Sequence, residues 1–90
     1  MAERVLEFAP NVVFREEPGG AILFDVDTGD VRVVEGVAWG ICALIEPGTT
    51  RKSILEELLR RYPGEESIEA DLDAFLSDLD EAGLLRGPAS

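Results

Sequence analysis

Ser67-Ile68-Glu69-Ala70-Asp71-Leu72-Asp73-Ala74-Phe75-Leu76-Ser77-Asp78-Leu79-Asp80-Glu81-Ala82-Gly83-Leu84-Leu85 is the stretch around which the rest of the chain is organised. Ile68, Leu72, Phe75, Leu76 and Leu79 recur at spacings of three and four, which places them on one face of an α-helix. Ser67 is a natural N-cap, because its hydroxyl can accept from a free N–H of the first turn. Glu69 and Asp71 sit where the helix dipole favours negative charge. Gly83 can supply the left-handed residue that ends the helix, and Leu84 and Leu85 then fold back onto the core. The opposite side is acidic: from Tyr62 to Leu85 there are eight carboxylates and no Lys or Arg.

Upstream the period changes twice. Val12 to Glu16 is rich in β-formers and reads as a strand. Glu17-Pro18-Gly19-Gly20 is a turn, Ala21 to Val26 a second strand, Asp27-Thr28-Gly29-Asp30 a second turn, and Val31 to Val34 a third strand. Turns this short imply an antiparallel meander. From Gly36 to Ile45, Val37, Ile41, Leu44 and Ile45 repeat helically, with Trp39 and Cys42 off that stripe, and Pro47-Gly48 ends the run. Thr49 or Thr50 caps a helix to about Arg61 whose core face is Ile54, Leu55, Leu58 and Leu59. Residues 1 to 10, with Val5, Leu6 and Phe8 before Pro10, read as a partly ordered arm. Three short strands cannot close a barrel, so they bury one face against three helices. The predicted fold is α+β: a three-stranded antiparallel meander, then three helices, in a winged helix-turn-helix-like order.

The 90 residues allow one domain, spanning 1–90, and the 46% apolar content suits a packed core. A net charge of −11 argues against nucleic acid and anionic membranes and favours a basic or neutral partner. No apolar run approaches a membrane span and no signal peptide is evident, so a cytoplasmic location is expected. Cys42, the single cysteine, can form neither an internal disulfide nor a multi-cysteine metal site and reads as a small buried hydrophobe.

The absence of His removes imidazole bases and ligands. The serines lack a base partner. The carboxylates fall mostly on one solvated helix face, and Asp25, Asp27 and Asp30 around Gly29 lack the spacing of a calcium loop. No catalytic, cofactor or metal site is therefore expected, and the chain does not read as an enzyme. A recognition helix for DNA would need Arg, Lys, Asn or Gln, and Ser67 to Leu85 holds none of them. A strand edge remains. Val31-Arg32-Val33-Val34 is apolar but for one charge, and such an edge must be covered or used. A peptide could add to it as a fourth strand, or the N-terminal arm could cover it.

The order Pro10-Asn11-Val12, Gly19-Gly20-Ala21-Ile22-Leu23, Val33-Val34-Glu35-Gly36-Val37-Ala38, Pro47-Gly48-Thr49-Thr50, Ile54, Leu58, Tyr62-Pro63, Asp71, Phe75-Leu76, Leu79 and Gly83-Leu84-Leu85 resembles the PqqD family, which belongs to the RiPP recognition elements. The resemblance implies a non-catalytic domain without cofactor. Such a domain binds the leader of a ribosomally made precursor peptide as an added strand and presents it to a modifying enzyme, often a radical S-adenosylmethionine (SAM) enzyme, as in PQQ biosynthesis. By position, the peptide-binding residues would be Val31, Arg32, Val33 and Val34 on the edge. From the helix, Leu72 and Leu76 would join them as the margins of a stripe that is otherwise core. The alternatives are a winged-helix nucleic-acid binder, or a dimerisation or adaptor module that offers the same edge to its own copy as a homodimer.

Overall fold

The alternating run of β-formers folds into an antiparallel hairpin, Val12–Glu17 and Gly20–Asp25, with Glu17 opposite Gly20 across the Pro18-Gly19 turn. The computed structural model describes residues 5–46 and 48–86, so Pro47 and the first four residues of the predicted arm lie outside the described residues. In chain order the elements are β1 (Val5–Leu6), β2 (Val12–Glu17), β3 (Gly20–Asp25), β4 (Val31–Val34), α1 (Val37–Leu44), β5 (Thr49–Thr50), α2 (Arg51–Arg61) and α3 (Ile68–Glu81). The expected meander is the sheet β2-β3-β4, antiparallel throughout, with the three helices after it. A two-stranded pair, β1 with β5, adds to it.

Register decides what the sheet buries. Ala21 opposes Val34 and Leu23 opposes Arg32, so these side chains share the face turned to the helices, where Ala21, Leu23 and Val34 are buried. Ile22, Phe24, Val31 and Val33 fall on the other face. Gly20 is required by close approach, since a Cβ there would lie 2.9 Å from the Val34 carbonyl oxygen. The second turn is built on Asp25. Its carboxylate accepts from Asn11 Nδ2 (2.9 Å), from the N–H of Asp27 (2.9 Å) and from that of Thr28 (3.3 Å). Val26, placed by sequence at the end of the strand, lies outside it, because its N–H donates to the Asn11 carbonyl at the bend.

The helices close the core. Thr50 and Ser53 form a reciprocal capping box at the start of α2, each hydroxyl accepting from the other's backbone N–H at 3.2 Å. Arg51 ties α2 to α3: Nε meets Asp73 Oδ1 at 2.7 Å and Nη2 meets Glu69 Oε2 at 2.7 Å. Gly83 takes φ 74°, and its N–H and that of Leu84 reach the carbonyls of Asp80 and Leu79, a Schellman ending that buries Leu84 and Leu85 as expected.

Three expectations need correction. Ser67 does not cap α3 with its side chain; its backbone is already helical, and the hydroxyl donates to Asp71 Oδ2 at 3.2 Å. Cys42 belongs to the core stripe of α1 at 1% exposure, because α1 packs on both α2 and α3 and so buries a wider face than one stripe. Leu59 is 49% exposed; Ile54 and Leu58 carry the buried face of α2, with Leu55 at its margin. The arm from Val5 onward is tied down, as Val5 and Leu6 pair with Thr50 and Thr49. Beyond that pair, Arg86 donates to the Glu7 carbonyl and Ala9 to that of Leu84, each at 2.8 Å. Leu6 is the hydrophobic reason, being buried in the core beside Leu84 and Leu85.

Candidate functional site

The path of the arm determines the site. Its described residues pair with β5 and run beside residues 84–86, so they do not cover β4. β4 ends the sheet, paired on one side by β3. The Asp25 N–H donates to the Asp30 carbonyl at 2.9 Å, which makes 25 and 30 a hydrogen-bonded pair. Alternation then makes Leu23–Arg32 and Ala21–Val34 the next such pairs, and turns the N–H and C=O of Val31 and Val33 outward. The edge therefore presents four backbone groups with no β partner among the described residues.

The predicted site residues divide into three groups. Val31 and Val33 are 54% and 73% exposed, with side chains on the outer face of the sheet and backbone on the edge. Arg32 points to the helix side and lines a cleft of about 400 Å³ with Asp78, Glu81 and Ala82 of α3. Val34, Leu72 and Leu76 are core residues, at 5%, 0% and 8% exposure. The stripe of α3 that spans 68, 72, 76 and 79 is consumed by packing, so Leu72 and Leu76 back the groove rather than line it.

The surface of α3 that does line the groove is the next stripe round: Asp71, Ala74, Phe75, Asp78, Glu81 and Ala82. These residues are three or four apart, so they form one ridge along the helix. A second cleft of about 370 Å³ adjoins the first through Asp78 and is lined by Ala74 and Phe75 together with Glu35, Val37 and Ala38. The two clefts, joined at Asp78, make one groove along α3 that Arg32 of β4 walls at one end and Glu35, Val37 and Ala38 at the other. The sequence reading missed Asp71, Ala74, Asp78, Glu81 and Ala82. The available signal was the small residues at 74 and 82 on either side of Asp78, at helical spacing.

The acidic face of α3 is in fact two faces. Glu69 and Asp73 are neutralised by Arg51 on the α2 side, where the guanidinium holds the Asp73 carboxyl below its usual range. Asp78 and Glu81 face the groove, and neither side chain has a polar partner among the described residues. A further cleft of about 290 Å³ lies between α1, β5 and α2, lined among others by Leu44, Glu46, Thr49, Glu57 and Arg61, with Arg61 Nε 3.0 Å from Glu57 Oε2. Burial pushes the Cys42 thiol up to about 12, which leaves it unreactive at neutral pH. Among the described residues no group of His, Cys, Asp and Glu is arranged to hold a metal ion, and no helix is long and apolar enough to cross a membrane.

The site is an open strand edge beside a groove along α3. The model of the family "Coenzyme PQQ synthesis protein D (PqqD)" matches residues 20–85, and the chain belongs to that family. None of the curated proteins compared with the chain matches it. Among solved structures it is similar to "TbiB1 in Complex with the TbiA(beta) Leader Peptide", at 26% identity and a TM-score of 0.82, covering 93% of this chain and 99% of that one. It also shares the fold of "Lasso peptide synthetase B1 complexed with the leader peptide", at 20% identity and a TM-score of 0.79, covering 93% of this chain and 100% of that one.

Proposed function

We propose that this protein is a RiPP recognition element. It binds the leader of a ribosomally made precursor peptide as a fourth strand on β4 and presents that peptide to a modifying enzyme. The observation that carries this reading is the β4 edge, where the outward backbone groups of Val31 and Val33 run beside the α3 groove while the described arm pairs elsewhere. An added strand would draw main-chain hydrogen bonds from the edge, and its inward side chains would enter the groove. The complexes of TbiB1 and lasso peptide synthetase B1 with their leader peptides support a leader peptide as the ligand.

In this reading Val31 and Val33 act through their backbone. Arg32, Ala74, Phe75 and Ala82 form the side-chain contacts, and Val34, Leu72 and Leu76 support them from the core. The protein contributes binding and orientation and no covalent step, so it is not an enzyme. Family membership favours a radical SAM enzyme as the partner that acts on the presented peptide. A cytoplasmic location follows from that partnership. Titrating ¹⁵N-labelled protein with the leader encoded beside its gene tests the reading. Amides of residues 31–34 shift if it holds; a saturable interaction that leaves them unmoved refutes it.

A further inference from the structure

The groove carries charge that the fold leaves unpaired. Five arginines of the described residues are engaged: Arg15 with Glu17, Arg51 with Glu69 and Asp73, Arg60 and Arg61 with Glu57, and Arg86 with Glu7. Arg32 is the exception among them, with no ion pair or hydrogen bond from its side chain to any described residue. It lines the same cleft as Asp78 and Glu81, which are unpaired as well. A chain of net charge −11 with eight basic residues has pressing use for each one. Leaving a cation and two carboxylates unpaired across one cleft means that the cleft is wide enough to hold its own polar groups beyond ion-pair distance. Around the groove as a whole, Glu35, Asp71, Asp78 and Glu81 stand against Arg32 alone.

Resting on the strand-addition reading, we propose that the peptide this edge selects is cationic at a defined place. It sets a Lys or Arg over Asp78 and Glu81, and an apolar side chain over Ala74 and Phe75. Geometry gives the spacing. The centres of the two groups of wall residues are separated by about five helical positions, roughly 7.5 Å along α3. An extended strand covers that in roughly two residues. Both side chains must point to the helix side of an alternating strand, so they are two or four positions apart. The basic end lies beside Arg32 and the apolar end beside Val37 and Ala38. Carboxylates at the rim of such a groove act mainly on register and encounter rate, because main-chain pairing alone does not distinguish one register from the next.

The test is a selection of random 15-residue peptides by display on the intact chain, followed by titration of the enriched peptides into ¹⁵N-labelled protein. The expected result is enrichment of Lys or Arg two or four positions from an apolar residue, with shifts at amides 31–34. Asp78→Asn with Glu81→Gln lowers affinity for those peptides about three- to tenfold at low salt, the range for two exposed pairs. Glu65→Gln with Glu66→Gln, an equal change of charge outside the groove, changes it less than twofold. Peptides that shift amides 31–34 without a cationic preference overturn this inference and leave strand addition standing. An equal loss in the two double variants does the same. If the enriched peptides leave amides 31–34 unmoved, or none is enriched, strand addition itself falls and this inference with it.

Discussion

Val33→Pro separates edge pairing from every other way a peptide could hold this protein. Val33 lies in a non-hydrogen-bonded pair with Ile22, so its N–H points away from β3 and takes no part in the sheet. Its side chain is 73% exposed, and little packing is lost. Proline is tolerated on an edge strand when the missing donor faced outward, and an extended Arg32 suits the residue before it. The fold should therefore stand, with an unfolding free energy within about 1 kcal/mol of wild type. Binding should not. One main-chain hydrogen bond contributes about 0.5–1.5 kcal/mol, and the pyrrolidine ring stands where the incoming strand must approach. Together about 2 kcal/mol or more is lost, roughly a thirtyfold weakening. Fluorescence anisotropy with a labelled leader measures it, and circular dichroism confirms folding. Val33→Thr keeps the N–H and should bind within about threefold of wild type. A folded Val33→Pro with unchanged affinity would refute the edge-pairing argument.

Three other outcomes follow from the geometry. Leu72→Ala, at a side chain with no exposure, should lower stability by about 2–5 kcal/mol in a denaturant titration; a stable variant that loses only peptide affinity would return Leu72 to the groove. Cys42, buried with its thiol pushed up to about 12, should resist a thiol reagent at pH 8 in the folded protein and react once denaturant is added. Stability should fall in acid. The Asp25 carboxyl is held below its usual value of 3.8, chiefly by the Asn11 side chain, and that of Asp73 chiefly by Arg51. Groups depressed on folding stabilise the protein above their unfolded pKa and lose that contribution as pH drops through the folded one. Thermal melts should therefore weaken below about pH 4, with a shallower decline in Asn11→Ala.

Within the sheet and helices, local pattern was sufficient. Val31–Val34 is legible to the residue because turn chemistry brackets it on one side and Gly36 on the other. α3 is legible because its apolar spacing and Gly83 agree. Errors arose where one residue type serves two neighbours. Cys42 looks off-stripe on a helix with one buried face, and α1 has more than one. Leu59 looks like core by composition, yet α2 turns it outward. Ser67 has the chemistry of a cap, but its backbone is already helical.

The sequence by itself determined the order of the three-stranded meander and the three helices, though not the β1–β5 pair, together with the acidity of α3 and that β4 is an edge that must be covered or used. Periodicity, turn residues and charge are local properties, and each can be read without knowing what lies across the core. Only the tertiary structure decided which way the arm runs and which side of α3 faces β4. The arm's choice depends on Leu6 reaching a core that Leu84 and Leu85 complete, a contact between the two ends of the chain that no local pattern encodes. The orientation of α3 depends on packing that draws Ile68, Leu72, Leu76 and Leu79 inward and Arg51 onto Glu69 and Asp73. Those constraints turn Asp78 and Glu81 toward Arg32, and so place unpaired charge in the groove beside the open edge.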